Sequence, residues 1–287
     1  MKKNIIFVNK LNYGGPGTFQ KNFITHIKSE NISFTYKKPL SGYKNIVFVI
    51  AGTKDIFFLL FCKLKGIEIV QRLDGLVWQH RVKYNGLINF FFSEIRQINV
   101  WFIRKFLSDK IIYQSKFIKK CWQDYDYLNI PSSIIYNGSN IQQYHKRKIR
   151  KKLRFISVEG ELNCEPMYSI LEGLSDLNID VYGKFDHKRA SKIKGKIIFK
   201  GPVSKDQVLK VLPKYDVFLT VELLPPCSNS IIEAMSFGLP ILGYKTGSSY
   251  ELVKKTGLLA EYINDPWKIE SPDVSKLREL LPILRKN

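Results

Sequence analysis

The stretch richest in chemistry is Pro225-Pro226-Cys227-Ser228-Asn229-Ser230-Ile231-Ile232-Glu233-Ala234-Met235-Ser236-Phe237-Gly238-Leu239-Pro240-Ile241. It follows Tyr215-Asp216-Val217-Phe218-Leu219-Thr220, which has the pattern of a buried strand. Ser228, Asn229 and Ser230 are helix-capping types, and Gly238 followed by Pro240 stops a helix. A helix start offers free N–H groups and the positive end of the dipole, so this segment is a candidate phosphate site. Glu233 stands three residues beyond Ser230. Two readings fit that spacing: the acid of a capping box, or an acceptor for the hydroxyls of a nucleotide ribose. A second glycine-rich loop, Asn12-Tyr13-Gly14-Gly15-Pro16-Gly17-Thr18-Phe19, separates a first strand from a first helix. Gly14 and Gly15 let backbone approach a diphosphate or sugar without a Cβ clash. Position 20 is Gln20, so the dinucleotide fingerprint is not met, and a plain tight turn fits the loop equally well.

The segment Ser228–Ile241 resembles the nucleotide-sugar signature of family-4 glycosyltransferases, the E-x7-E and A-x-x-x-G-x-P pattern of GT-B proteins. The resemblance continues through Thr246-Gly247-Ser248-Ser249-Tyr250-Glu251-Leu252-Val253 and through Phe199-Lys200-Gly201-Pro202-Val203 with Leu209–Asp216 upstream. It also takes in Ile112–Phe117 and Ile135–Ser139, so it spans about residues 1–260. It implies two Rossmann-like domains facing across a cleft, a nucleotide diphosphate sugar as donor (UDP- or GDP-linked), retention of anomeric configuration, and no required metal or other cofactor. Three departures accompany it. Pro225 stands where relatives carry a sugar-contacting glutamate, with Glu222 nearby but out of register. Ile156–Glu165 carries Glu159, Glu161 and Glu165 where relatives grip the diphosphate with Arg and Lys. Lys184 and Lys245 are the candidates for that missing charge, or plain surface lysines. Gln71-Arg72-Leu73-Asp74-Gly75 replaces the His-Gly or His-Asp that faces the reacting sugar. Asp74 is then the catalytic candidate, against the plainer reading of a turn residue, and His80 is a weaker one. Asp124-Tyr125-Asp126 spells a metal-binding triplet of another transferase fold, but falls at a helix end.

Short apolar runs alternate with helical patterns over nearly the whole chain, which predicts α/β architecture with parallel sheets. Strands are expected at 5–9, 46–50, 67–73, 110–113, 133–136, 153–158, 180–182, 196–199, 217–220 and 240–243. Helices are expected at 18–29, 55–64, 87–107, 115–124, 167–174, 204–212, 230–237, 249–254 and 274–284. The run Lys146–Arg154 is almost wholly basic, which places a domain boundary near 150. The domains are then 1–149 (acceptor side), 150–270 (donor side) and a closing helix in 271–287 that returns to the amino-terminal domain.

The 287 residues carry 46 Lys and Arg against 25 Asp and Glu, a net +21, which favours anionic partners. Apolar residues at 45% exclude a disordered chain. The four cysteines form no metal-type pair, the amino terminus has no secretory signal, and Ile46–Cys62 is too broken to span a bilayer. A cytoplasmic protein is expected, with peripheral attachment to the inner face of a membrane left open. Phe90, Phe91, Phe92, Ile95, Trp101, Phe102 and Phe106 are expected in the core, with a membrane-interfacial helix as the alternative. The resemblance implies a hexosyltransferase-type enzyme (the EC 2.4 class) that passes a sugar to a glycan or lipid-linked acceptor in surface polysaccharide or glycoconjugate synthesis. An inactive sugar-nucleotide-binding scaffold is the alternative, with a nucleic-acid-binding protein, suggested by the charge alone, behind it. Nucleic acid is not an expected partner, since no recognition motif accompanies the charge.

Overall fold

The computed structural model describes residues 2–11, 14–75, 79–82, 86–140, 150–262, 265, 268 and 270–285. Contacts divide the chain into two units, Met1–Tyr136 and Asn137–Asn287. The division falls ahead of the basic run rather than at residue 150. Asn137 is tied into the second unit: its N–H donates to Cys227 Sγ (3.3 Å) and its Nδ2 to the Cys227 carbonyl (3.0 Å). Residues 146–149 of the basic run lie outside the described residues.

The first unit runs β1 (Lys3–Phe7), α1 (Gly14–Ser29), β2 (Ser33–Tyr36), β3 (Lys44–Ile50), α2 (Ile56–Leu64), β4 (Glu68–Leu73), α3 (Gln79–Val82), α4 (Leu87–Phe102), β5 (Lys110–Tyr113), α5 (Lys116–Tyr125) and β6 (Ser132–Ile134). Its six strands are all parallel, in the order β2-β1-β3-β4-β5-β6. Alternate residues of each strand feed opposite faces, as a period of two requires. Ile6, Val47, Val49 and Ile69 meet Leu59 and Ile103 on one face. Phe7, Phe48 and Ile50 meet Ile27, Phe19 and Phe23 on the other.

The second unit repeats the plan with β7 (Arg154–Glu161), α6 (Glu165–Gly173), β8 (Asn178–Lys184), α7 (His187–Ala190), β9 (Ile197–Gly201), α8 (Lys205–Val211), β10 (Val217–Leu219), α9 (Asn229–Ser236), β11 (Ile241–Tyr244), α10 (Ser249–Val253), β12 (Gly257–Ala260) and α11 (Val274–Leu280). Its order is β12-β11-β10-β7-β8-β9, again parallel throughout. Phe155, Val217, Leu219 and Leu242 face one layer, while Ile156, Phe218 and Ile241 face the other. Both faces are covered, as parallel sheets demand.

Three expectations are revised. The closing helix α11 packs on the second unit: Leu277 is fully buried among Leu171, Leu242 and Ala260, and Arg278 Nε donates to the Gly173 carbonyl (2.9 Å). The long helix expected at 87–107 is α-helical only to Phe102 and closes in a π-helical turn, Ile103–Leu107. Its large apolar residues are also not all core: Phe91, Phe92, Ile95 and Phe106 are exposed.

Candidate functional site

In each sheet the chain runs outward from one central strand and then reverses to that strand's other side. The reversal leaves a crevice beyond the carboxyl ends of the two strands that flank it, where ligands bind in open α/β sheets. In the second unit those strands are β7 and β10. Glu159 stands near the end of β7 and is buried; its Oε1 accepts the Val221 N–H at 3.3 Å. Burial pushes its carboxyl well above the usual range, and the negative charge of Glu222 adds to that. Glu222, half-buried after β10, is raised by burial too, against a hydrogen bond from Ser228. Gly183 brings β8 against this corner: its φ is +134°, and a Cβ there would lie 2.0 Å from the Glu159 carbonyl oxygen.

From Glu222 the chain makes a tight loop into α9. Leu224 is held in the left-handed region (φ 54°), a costly conformation for a side chain with a Cβ. It is fixed from the next loop, where Thr246 Oγ1 accepts the Leu224 N–H (3.2 Å) and the Ser248 N–H donates to the Pro225 carbonyl (2.9 Å). Gly247 (φ +55°) permits that approach, since a Cβ on it would lie 2.5 Å from the Pro225 nitrogen. Ser248 and Ser249 are fully buried, and their hydroxyls have no partner among the described residues. Ser228 is the N-cap of α9; its Oγ accepts the Ile231 N–H (3.4 Å) and lies 3.0 Å from Ser230 Oγ.

The structure therefore brings Ser228, Asn229 and Ser230 together with Glu222 and Glu159 at one crevice. It does not form the capping box considered for Glu233. With Ser228 as cap, the third helical residue is Ile231, and Glu233 instead pairs with Lys205 Nζ at 2.8 Å, joining α9 to α8. Lys184 ends β8 with its side chain exposed, and its carbonyl accepts the Leu162 N–H. Lys245 pairs with Glu261 at 3.1 Å on the exposed surface.

In the first unit the reversal falls between β1 and β3. Gly14 (φ +69°) and Gly15 begin α1 and are exposed; Asn12 and Tyr13 lie outside the described residues. Gln20, in the place of the missing glycine, fixes this loop: its Oε1 accepts the Leu11 N–H (2.7 Å) and its Nε2 donates to the Asn9 carbonyl (2.8 Å). Farther along the same sheet edge, Arg72 is buried with its guanidinium 3.8 Å from the Phe19 ring centroid. Arg72 forms an ion pair with Asp74 Oδ1, which also accepts from Gln114 Nε2 at 2.8 Å. Asp74 Oδ2 is buried without a partner among the described residues. Burial raises the Asp74 carboxyl, while Arg72 and Gln114 pull it back down. His80 sits apart from this cluster. Its Nε2 lies 2.6 Å from Glu94 Oε1, and Arg81 grips the same carboxylate, which is lowered to about 2 chiefly by that hydrogen bond. Asp126 is occupied by Trp101 Nε1 (2.7 Å), and among the described residues no acidic, histidine or cysteine cluster has the makings of a metal site.

Residues 165–269 match the family described as Glycosyl transferases group 1. Among solved structures, the chain is similar to the lipopolysaccharide outer core galactosyltransferase WaaB (15% identity, TM-score 0.65), covering 99% of this chain and 90% of that one. It is similar to HepE of Anabaena in complex with UDP (14% identity, TM-score 0.64), covering 100% and 91%. It also matches the GtfA/B complex (16% identity, TM-score 0.58) over 85% of this chain, but spans only 51% of that one. No curated protein matches the chain in sequence. The fold class is GT-B.

The group 1 match holds the α9 start and the Gly247 loop, but begins after β7 and so leaves Glu159 outside. Four residues have no clear signal in the sequence. Glu222 stood out of register with the signature. Ser248 and Ser249 belonged to a glycine turn whose contact with Pro225 is long-range. Gln20 drew notice only as the residue where a glycine was missing. Only the paired strand ends reveal their roles.

Proposed function

We propose that the protein is a glycosyltransferase that moves a sugar from a nucleotide diphosphate donor to a glycan or lipid-linked acceptor. The observation that carries this reading is the crevice between β7 and β10, where the capped start of α9 meets two buried loops inside the region of the group 1 match. HepE binds UDP and UDP-glucose, which favours a uridine nucleotide as the donor carrier. In this reading the backbone N–H groups at the α9 start and its dipole stabilise the departing diphosphate, the step that most needs charge relief. Glu159 and Glu222 are ill suited to a diphosphate, since burial raises both carboxyls and disfavours their charged forms; they serve as hydrogen-bonding groups toward donor hydroxyls. Asp74, its Oδ2 buried and open, faces the sugar or steadies positive charge at the anomeric carbon, with Arg72 and Gln114 orienting it. Glu233 serves the donor site from behind, through Lys205. Lys184 and Lys245 supply long-range attraction to a phosphate. Retention of configuration and independence of metal follow from the family resemblance. The +21 charge suits an anionic membrane that carries the acceptor, with the enzyme on the cytoplasmic side.

The test is a thermal-shift screen with UDP-, GDP- and ADP-sugars, followed by nucleoside diphosphate release in excess EDTA. A donor that binds the folded state raises the melting temperature. Release should continue in EDTA; loss restored by manganese would overturn the metal-free mechanism. Buried Pro225 and the acids near the diphosphate favour one other reading, a sugar-nucleotide-binding scaffold. That reading predicts a thermal shift with no release.

A further inference from the structure

Two helices of the first unit turn apolar faces outward. On α2 the exposed residues are Phe57, Leu60, Phe61 and Leu64, spaced i, i+3, i+4, i+7 along one stripe. On α4 they are Leu87, Ile88, Phe91, Phe92, Ile95 and Ile98, continued by Phe106 in the π-helical turn. The α2 stripe adjoins the α4 stripe at its far end, Phe106. At its start α2 is tied to α4, because Asn99 Oδ1 accepts the Thr53 N–H (3.1 Å) and Asn99 Nδ2 donates to the Thr53 carbonyl (3.0 Å). At its end Lys63 Nζ donates to the Leu107 carbonyl (3.2 Å). So α2 lies alongside residues 99–107 in the same direction, and its buried side shares one core with theirs through Leu59, Cys62, Ile103 and Leu107. Single exposed apolar residues are ordinary, but two adjacent stripes of them mark an interaction surface.

Charge chooses the occupant. Exposed Lys54, Lys65 and Arg96 lie on or beside these elements, with Lys63 and Lys105 in ion pairs to Asp109 and Asp126. The acids near them are already held: Asp55 by Lys37 (2.8 Å), Glu94 by Arg81 (2.6 Å) and Asp109 by Lys63 (2.5 Å). Lys65 Nζ sits 6.0 Å from the Phe61 ring centroid, so cation and apolar stripe share one edge. A second copy would bring like charge onto like charge across a self-complementary interface, each chain carrying +21. An anionic bilayer supplies what this surface lacks: apolar depth for the aromatics and phosphate for the rim. Among the described residues no helix is long and apolar enough to cross a membrane.

We propose that α2 and α4 form a monotopic lipid-binding face that seats the aromatic stripes in the headgroup boundary of an anionic membrane. This deepens the membrane part of the functional reading and rests on it, but needs neither the donor site nor the basic run. It assigns the attachment to inserted apolar side chains rather than to charge alone.

The experiment is flotation of the full chain with phosphatidylglycerol–phosphatidylcholine vesicles and with pure phosphatidylcholine. Each is run at about 0.15 M and about 1 M NaCl, where the screening length drops from about 8 to about 3 Å. Binding to the anionic vesicles should weaken at high salt yet persist. The triple variant Phe61→Asp, Leu64→Asp, Phe92→Asp should lower partitioning by about tenfold or more while leaving melting temperature and donor thermal shift unchanged, because these side chains are exposed. Phe92→Trp should give a blue-shifted emission on vesicles, reporting entry into the interface. The proposal is overturned if the chain does not bind, if binding vanishes at high salt, or if the triple variant floats like the parent. It is equally overturned if the triple variant abolishes a dimer and leaves flotation intact. Donor thermal shift is read on the same samples, so failure of the glycosyltransferase reading and failure of this surface are seen separately.

Discussion

The two sheets share a topology but treat buried charge in opposite ways at their carboxyl edges. In the first unit a buried acid has a buried base: Asp74 takes the Arg72 guanidinium and Gln114, and Arg72 stacks on Phe19. In the second unit Glu159 and Glu222 face each other, and backbone N–H groups and Ser228 are their partners. In the first, Arg72 and Gln114 offset part of the rise that burial imposes on the Asp74 carboxyl. The lack of such a cation among the described residues of the second favours protons on the acids. A shared fold thus fixes where a site sits, while a few side chains at the strand ends decide which charge state it holds.

The largest effect is expected from breaking the balanced corner. Arg72→Met leaves Asp74 buried without its cation and should cost about 3–5 kcal/mol, read as a lowered urea midpoint. Next, Gly183→Ala drives a Cβ into the Glu159 carbonyl at a positive φ. A loss of about 1–3 kcal/mol is expected in the same assay, because backbone rather than a flexible side chain must yield. The unbalanced corner is best probed by pH. Burial raises the Glu159 and Glu222 carboxyls, so the folded chain gives up their protons at higher pH than the unfolded chain, which releases them above about pH 4.3. Their contribution is present in full below that pH and drains as pH rises through the folded values, by about 1.4 kcal/mol per pH unit for each proton. Glu159→Gln keeps an oxygen for the Val221 N–H and should flatten that slope, so that it gains on the parent as pH rises from 5 to about 8. An unchanged slope would mean that the pair is ionised in the folded state. The smallest effect belongs to Lys245→Ala. Its exposed pair with Glu261 should matter by no more than about 0.5 kcal/mol in stability, so any sizeable loss of donor affinity would give Lys245 a direct place at the phosphate.

Much of this architecture is legible in the residues. The central strands are continuous apolar runs such as Ile46–Ile50, and the helix starts carry caps, as at Ser115, Ser204 and Ser228. Two strands were not foreseen. Edge strand β2, Ser33-Phe34-Thr35-Tyr36, is short and half polar, and β12, Gly257-Leu258-Leu259-Ala260, has only four residues to show a pattern. Both take their strand form from pairing with β1 and β11, a tertiary effect that local propensity does not carry. The aromatic stretch of α4 misled for a different reason. Periodicity shows that an apolar stripe exists, not whether protein or another phase covers it. At the candidate site the α9 start is readable from capping types, but Glu159 meets Val221, 62 residues away in sequence, and Glu222 beside it, and no local pattern encodes that meeting.

The central claim is that the crevice between β7 and β10 binds a nucleotide sugar, and hydrogen exchange with and without UDP-glucose tests it most directly. The account predicts slowed exchange in the 220–231 segment and in the 245–250 loop, with the β2 edge unchanged, since a ligand that binds only the folded crevice suppresses its local opening. A UDP-glucose complex that protects other segments while 220–231 and 245–250 exchange at their unliganded rates would contradict it.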